Sequence, residues 1–202
     1  MPKLTRKQLQ QLILESSSRI HLKDIDLSGE DLTKILWPKN INFTRANLPK
    51  ANLEMAELTG ICFRESDISA VNFTEAKMAG ADLSFANVSE SVLKETDLQN
   101  ANFEGADVTQ ADFTKADLSK AKFKEAEASS AVFRHANLEK ARFKGAYLEG
   151  ADFSYADLRG ADFDGAHLEG AFFYRARLRG TKFKGASGFE LAQTMTPGPL
   201  DA

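Results

Sequence analysis

Few residues in this chain of 202 could perform acid–base, nucleophilic or metal chemistry. The candidates are three histidines and one cysteine, His21, His135, His167 and Cys62. No Cys-x-x-Cys, His-Glu-x-x-His or glycine-rich phosphate loop occurs, so no known metal or phosphate motif is present. Asp97 and Asp117 could stack in a repeating fold, but two carboxylates are too few ligands for a hard cation. The sequence therefore predicts no enzyme, no cofactor and no metal site.

A five-residue unit repeats without interruption from Ile41 to Gly185, as in Ala111–Lys115 followed by Ala116–Lys120. Every fifth residue from Phe43 to Phe183 is Phe, Leu, Ile, Val or Met at 28 of 29 positions. The residue two places earlier is Ala at 22 of 29 positions, and the residue between these two rows is mostly polar. The unit thus alternates apolar and polar residues over three positions and ends with two polar residues or glycine.

A period of five fits neither regular element, because it makes no stripe on a helix and changes faces on a continuous strand. The chain must therefore turn within each unit. If each unit is a short extended piece followed by a corner, the two apolar rows point inward and the residue between them points outward. Such a fixed period is typical of a solenoid.

Corners near a right angle would close one square coil every four units, and the residue types at every twentieth position support this period. We number the four faces by their apolar rows, each of which takes every twentieth residue. The row of face 1 runs from residue 43 to 183, that of face 2 from 48 to 168, that of face 3 from 53 to 173, and that of face 4 from 58 to 178. Phenylalanine dominates the opposite faces 1 and 3, whereas smaller aliphatic residues occupy faces 2 and 4. The sequence therefore predicts an all-β solenoid.

The unit Ala-(Asp/Asn)-(Leu/Phe)-x-x resembles that of the pentapeptide repeat family, and the resemblance covers about three quarters of the chain. It implies a right-handed quadrilateral β-helix, here of about eight coils with a short N-terminal capping helix. The best understood branch of the family, the quinolone-resistance proteins, is thought to imitate duplex DNA and bind DNA gyrase. This chain lacks the long loops on which gyrase-protecting members with known loops depend.

The two ends depart from the repeat, and four segments are predicted. They are a capping helix at 1–19, a first coil at 20–40, the repeat β-helix at 41–185, and a C-terminal cap with a flexible tail at 186–202. The helix is predicted from the capping-box spacing of Thr5 to Gln8 and from apolar residues at helical intervals. The first coil runs in a different phase, so one extra residue is expected near Pro38.

Composition favours a cytoplasmic protein with no membrane segment. The chain carries 26 basic and 29 acidic residues, it has no apolar run long enough to span a bilayer, and it lacks a signal-peptide core. Secretion without a cleaved signal stays open. The single cysteine excludes an internal disulfide.

Charges that share a face line up along the column and form two candidate interaction sites. The acidic face, on face 2, comprises Asp67, Glu90, Asp107, Glu127, Glu149 and Glu169. A basic patch on two stacked coils comprises Lys120, Lys122, Lys124, Lys140, Arg142 and Lys144. The basic patch could bind a polyanion, but the sequence favours a solubilising role for it, through weak ion pairs between coils.

A third candidate is an apolar contact near the C-terminal end, where outward positions are not polar. It comprises Val132, Tyr155, Phe172, Tyr174, Phe189 and Leu191. Exposed aromatic residues of this kind are typical of protein contacts. The first four would bind a partner or a second copy of the chain, or they would lie beneath the C-terminal tail. Phe189 and Leu191 would cover the last coil or pack against a second copy end to end.

The sequence as a whole favours a non-enzymatic scaffold that binds an unidentified protein partner through flat charged faces. A gyrase-binding DNA mimic is the first alternative, although the repeat region has a net charge of only −3. An adaptor or cargo of a bacterial secretion system is the second, because a helix leads into Asp26–Gly29. Direct nucleic-acid binding is not favoured, and a homodimer through the C-terminal end stays open.

Overall fold

The computed structural model describes residues 1–15, 20, 22–38 and 41–189. These residues form one helix, α1 (Arg6–Glu15), followed by a column of coils whose strands are reduced to single bridged residues. Parallel bridges join each outward residue of the repeat to its equivalent four units ahead, from Asn42 with Cys62 to His167 with Ser187. The predicted period of four units per coil is therefore confirmed.

The same backbone hydrogen bonds recur in every regular unit. The Leu48 N–H donates to the Asp67 carbonyl at 2.7 Å, and the Asp67 N–H donates back to the Ala46 carbonyl at 2.9 Å. Within one coil, the Ala51 N–H donates to the Leu48 carbonyl at 3.0 Å and closes the corner. Successive coils therefore satisfy each other's backbone polar groups, which a buried backbone requires.

The outward residue between the two apolar rows has a structural task that explains why it is so often Asp or Asn. Its side-chain oxygen accepts a hydrogen bond from the backbone N–H two residues later, as from Thr44 to Asn42 at 2.8 Å and from Thr114 to Asp112 at 2.9 Å. Asp and Asn form such turns readily. Many of the acidic residues in this repeat therefore stabilise corners.

Two ladders of stacked phenylalanines fill the C-terminal part of the core. On face 1, neighbouring rings from Phe103 to Phe183 lie 4.6–5.3 Å apart, and on face 3 those from Phe113 to Phe173 lie 4.9–5.1 Å apart. Rings on opposite ladders meet edge to face, as for Phe143 and Phe153 at 5.7 Å. Both contacts are favourable aromatic geometries.

Helix α1 is attached to the first coil at the N-terminal end of the column. The Gln8 side chain accepts from the Thr5 N–H at 2.8 Å, as a capping box requires. Leu9 is fully buried in the core, whereas Leu12 of the predicted apolar stripe is 41% exposed. The Arg6 side chain donates to the Thr33 carbonyl at 2.7 Å and joins the helix to the first coil.

The first coil is out of register with the others. Its bridges join residues 21 apart, as between Asp26 and Asn47, whereas bridges from Asn42 onward join residues 20 apart. One extra residue therefore lies between Trp37 and Ile41. This agrees with the extra residue expected near Pro38; Lys39 and Asn40 lie outside the described residues.

The last described residues cover the C-terminal end of the column. The Phe189 ring stacks on Phe183 with centroids 3.8 Å apart and meets Phe173 edge-on at 5.9 Å. Gly188 makes this approach possible, since its φ is 71° and a Cβ there would lie 2.4 Å from the Glu169 nitrogen. The predicted tail beyond Phe189 lies outside the described residues.

Candidate interaction surfaces and a histidine–carboxylate cluster

All six residues of the acidic face do lie on face 2. Asp67, Asp107 and Glu127 occupy one row of bridged residues. Asp67 already accepts hydrogen bonds from the Ser69 N–H at 3.0 Å and from the Asn87 side chain at 3.2 Å. Part of the negative charge is thus engaged in holding the coils together.

No residue of the acidic face forms an ion pair within the part of the chain that the structure describes. The face therefore keeps a negative potential along its length. Glu127 and Glu169 are exposed and Glu149 is half-buried.

The basic patch divides into paired and unpaired cations. Lys124 lies 3.0 Å from Glu104 and 3.4 Å from Glu125, and the Glu104 hydrogen bond raises the pKa of Lys124. Lys140 pairs with Glu139 at 3.0 Å. The other four cations of the patch make no ion pair with any described residue: Lys120, Lys122, Arg142 and Lys144. The patch is therefore only partly neutralised.

Three of the aromatic residues predicted at a contact lie on the C-terminal coils of face 3, together with two residues that the sequence did not single out. Tyr155 is 41% exposed and Phe172 is 40% exposed. The Tyr155 ring stacks on His135 at 4.8 Å and meets Tyr174 edge-on at 5.4 Å. The Arg175 guanidinium lies 5.9 Å from the Tyr155 ring and 5.3 Å from the Tyr174 ring. We call these five residues the aromatic surface.

The remaining residues of the predicted apolar contact lie elsewhere or are not described. Val132 is half-buried and shares a bridge row with Phe172. Phe189 packs on the core of its own chain, so its ring covers the end of the column and does not extend the aromatic surface. Leu191 lies outside the described residues.

A cluster that the sequence did not predict lies on face 2. One side-chain ligand atom from each of Glu149, His167 and Glu169 lies within 4.8 Å of the others. The His167 ring stacks on Tyr147 at 4.7 Å with an angle of 3°. Its Nδ1 lies 3.2 Å from the Ser187 hydroxyl. A separate hydrogen bond from Ser187 to the Glu169 carboxylate lowers the pKa of Glu169, which favours its ionised form.

The cluster was missed because sequence reasoning compared histidines only with other histidines and cysteines. The missing signal is the combination of two spacings. Glu149 and Glu169 are one coil apart and therefore stack, and His167 precedes Glu169 by two positions.

Within the described residues, no helix is long and apolar enough to cross a membrane.

The repeat identified above matches a known family over most of the chain. The Pentapeptide repeats profile matches in eight copies, over residues 39–65, 63–94, 91–127, 129–165 and 156–187. No curated protein sequence matches the chain.

Solved structures with similarity to the chain are also pentapeptide repeat proteins. HetL from Nostoc sp. strain PCC 7120, described as involved in heterocyst differentiation regulation, is 25% identical, with 91% of this chain and 96% of HetL covered and a TM-score of 0.29. Full-length QnrB1, a plasmid-mediated fluoroquinolone resistance protein, is 19% identical, with 87% and 98% covered and a TM-score of 0.28.

A pentapeptide repeat protein from the Arabidopsis thaliana thylakoid lumen is 32% identical, with 53% of this chain and 61% of that chain covered and a TM-score of 0.26. At these TM-scores, the superpositions carry no argument about function. The profile match spans well over half of the residues, so the column is a right-handed β-helix solenoid and the chain belongs to the pentapeptide repeat family.

Proposed function

We propose that this solenoid of about eight coils, closed by α1, is a non-enzymatic scaffold that binds a protein partner on its C-terminal coils. The aromatic surface carries the proposal. Outward positions elsewhere on face 3 are mostly polar, whereas here Tyr155, Phe172 and Tyr174 lie together with Arg175. Tyrosine, phenylalanine and arginine are enriched at protein interfaces, and tyrosine and arginine dominate their binding energy.

The geometry of the aromatic surface supports binding. Its rings are held by one another, since Tyr155 contacts both His135 and Tyr174. Side chains that are already ordered lose little conformational entropy on association. The buried Phe ladder of face 3 lies directly behind this surface and gives it a rigid support.

Photo-crosslinking tests the proposal with a control on the same face. A benzoylphenylalanine replaces Tyr155 in one variant and Met55 in the other, because Met55 is also exposed and occupies the equivalent corner five coils away. Crosslinking in extract of the native host should give a discrete protein adduct at Tyr155 and none at Met55. Equal adducts at both positions, or none at either, would contradict the proposal. An adduct of twice the chain mass would identify a second copy as the partner.

The identified partner then allows a quantitative comparison. Tyr174→Ser should weaken its affinity by about 30-fold, as expected for an aromatic residue at the centre of an interface. Met55→Ser should leave the affinity unchanged. An unchanged affinity in Tyr174→Ser would move the contact away from the aromatic surface, and the unpaired cations of the basic patch would be the next site to vary.

Mimicry of DNA for binding to DNA gyrase is the second candidate, favoured by the position of all six carboxylates of the acidic face on face 2. The low density of negative charge on this face argues against mimicry. Asp67 and Glu169 lie about five coils apart, so six charges extend over roughly 25 Å at about 4.8 Å per coil. Duplex DNA carries one charge per about 1.7 Å of axis. The acidic face thus has about a third of the charge density of DNA.

A DNA supercoiling assay with purified gyrase, with and without a quinolone, distinguishes the two functions. A mimic should inhibit or protect gyrase, and a variant with Glu127→Lys, Glu149→Lys and Glu169→Lys should lose that effect. Tyr174→Ser should keep it. Absence of any effect at micromolar protein would remove this candidate and leave the protein-binding scaffold.

A further inference from the structure

We propose that Glu149, His167 and Glu169 form a binding site for a divalent transition-metal ion of the Zn²⁺ class. The inference is independent of the partner proposed above. It begins with the chemistry of the three side chains, which offer one imidazole nitrogen and two carboxylate oxygens within 4.8 Å of one another. Imidazole favours zinc and its neighbours over magnesium or calcium, and carboxylates also bind zinc.

The geometry requires only small side-chain movements. Ligand atoms about 2.1 Å from a tetrahedral zinc ion lie roughly 3.4 Å from one another. The ligand atoms of the cluster therefore have to approach by at most about 1.4 Å. Glu169 is exposed. Glu149 is half-buried and one of its carboxylate oxygens accepts from the Ser129 hydroxyl at 3.2 Å, so its other oxygen is the one available to the ion. Water would complete the coordination, as at zinc sites with three protein ligands.

The histidine is already held in place. Tyr147 stacks parallel to the imidazole at 4.7 Å, and the Ser187 hydroxyl contacts Nδ1 at 3.2 Å. In the tautomer with hydrogen on Nδ1, this N–H donates to the Ser187 hydroxyl and leaves the Nε2 lone pair available to an ion. A fixed ring loses little entropy when it binds an ion, so the most constrained of the three ligands is also the one that selects the metal.

The local charge also favours a cation. Within the described residues, neither Glu149 nor Glu169 forms an ion pair. Two stacked carboxylates repel each other, and a bound divalent ion would replace that repulsion with attraction.

An ion at this site would join two successive coils, because Glu149 belongs to one coil and His167 and Glu169 belong to the next. Binding would therefore stabilise the C-terminal end of the column, as any ligand does that binds the folded state alone. The readout is thus both a binding isotherm and a shift in melting temperature.

The test uses the untagged full-length chain with Cys62→Ser, which removes the single thiol as a competing ligand. Isothermal titration with Zn²⁺ should give one ion per chain, and Tm should rise with the free Zn²⁺ concentration and fall again after chelation. Co²⁺ should give visible absorption bands of a tetrahedral or five-coordinate site. His167→Asn and Glu169→Gln should each weaken Zn²⁺ affinity by about tenfold or more.

Two matched controls separate this site from general surface binding. Glu127→Gln removes a carboxylate of the same face one coil before Glu149, and His135→Asn removes the histidine of the aromatic surface. Both should bind Zn²⁺ like the parent. The proposal is overturned if no binding occurs up to about 1 mM Zn²⁺, or if the cluster variants bind as the controls do. Circular dichroism identifies any variant that fails to fold, and Glu149→Gln on the other coil then replaces it.

Discussion

The N-terminal and C-terminal coils of the column share one backbone pattern but differ in how their cores are filled. From Phe103 to Phe183 the phenylalanine ladders are continuous. Between residues 41 and 100 they are interrupted by Leu83 and Leu93, and three inner positions carry buried hydroxyls: Ser66, Ser91 and Thr96. The repeat therefore specifies the path of the chain, whereas the inward side chains determine how much each coil contributes to stability.

The difference coincides with the position of the candidate sites. The aromatic surface, the basic patch and the histidine–carboxylate cluster all lie on coils after residue 115, over the continuous ladders. In a solenoid each repeat contacts only its neighbours, so stability is largely a local sum. These three sites therefore occupy the part of the column with the more regular core, whereas the acidic face, from Asp67 to Glu169, extends over both parts. Four substitutions test the difference in stability between the two parts.

Removal of a ring from the middle of a ladder should have the largest effect. Phe143 contacts Phe123 at 4.8 Å and Phe163 at 4.7 Å, and Phe143→Ala should lower the free energy of unfolding by about 3–5 kcal/mol. Phe43→Ala is the control in the N-terminal coils, where the ring stacks on one other phenylalanine among the described residues, at 5.3 Å. Urea denaturation followed by circular dichroism measures both. Equal losses would remove the distinction between the two regions.

The C-terminal coils also contain one weak point, at Ala128. Phe123 and Phe133 lie 5.8 Å apart across Ala128, whereas Phe143 and Phe153 lie 5.7 Å apart across Leu148. The rings therefore do not close in on the smaller residue. Ala128→Leu should raise the free energy of unfolding by about 1–3 kcal/mol. A fall in Tm would show that neighbouring side chains already fill the space.

Replacement of the buried hydroxyl residues of the N-terminal coils by alanine should lower the free energy of unfolding by different amounts. Ser91 accepts from the Val71 N–H at 3.1 Å and donates to the Ile68 carbonyl at 2.7 Å, whereas Ser66 only donates to the Phe63 carbonyl at 2.6 Å. Ser91→Ala should cost about 1–2 kcal/mol because it leaves a buried N–H without its partner.

Ser66→Ala is the matched control and should change stability by less than about 0.5 kcal/mol, since Ala is the usual residue at this position. Urea denaturation of the two variants side by side measures the difference. Equal costs would show that the buried N–H group has no special weight.

The smallest effect should come from repair of the interrupted ladder. Leu83 lies between Phe63 and Phe103 on face 1, and Leu83→Phe would connect the two stacked segments. A gain of about 0.5–1 kcal/mol is expected from the added ring contacts. Hydrogen exchange of amides in residues 61–100 should slow at the same time. Destabilisation would indicate that the core at this coil is too narrow for a ring.

The sequence was sufficient for the coil period and for the inward rows, because those depend on a spacing of five that only a turning chain satisfies. It was also sufficient to place the acidic face, since residues one coil apart must stack. It did not predict that Asp67 and similar residues serve the corners, because a charge in a sequence carries no information on what its oxygen accepts.

The aromatic surface and the cluster were only partly predicted for a related reason. His135, Arg175 and His167 became informative when the structure showed the rings and atoms beside them. Each contact depends on side-chain orientation across two coils, which the repeat pattern leaves free. A cap at the end of the column was predicted, but the way Phe189 forms it was not, since it depends on the backbone turn at Gly188.

Because the coils are in fixed register, the distance along the column between any two sites is fixed. Equivalent positions on the same face are separated along the column by a whole number of coils, at about 4.8 Å per coil. Insertion of four repeat units would shift all later coils along the column by one coil without rotation. Insertion of a single unit would rotate the later coils by a quarter turn. The spacing between two bound molecules on such a column is therefore a property that chain length alone can reset.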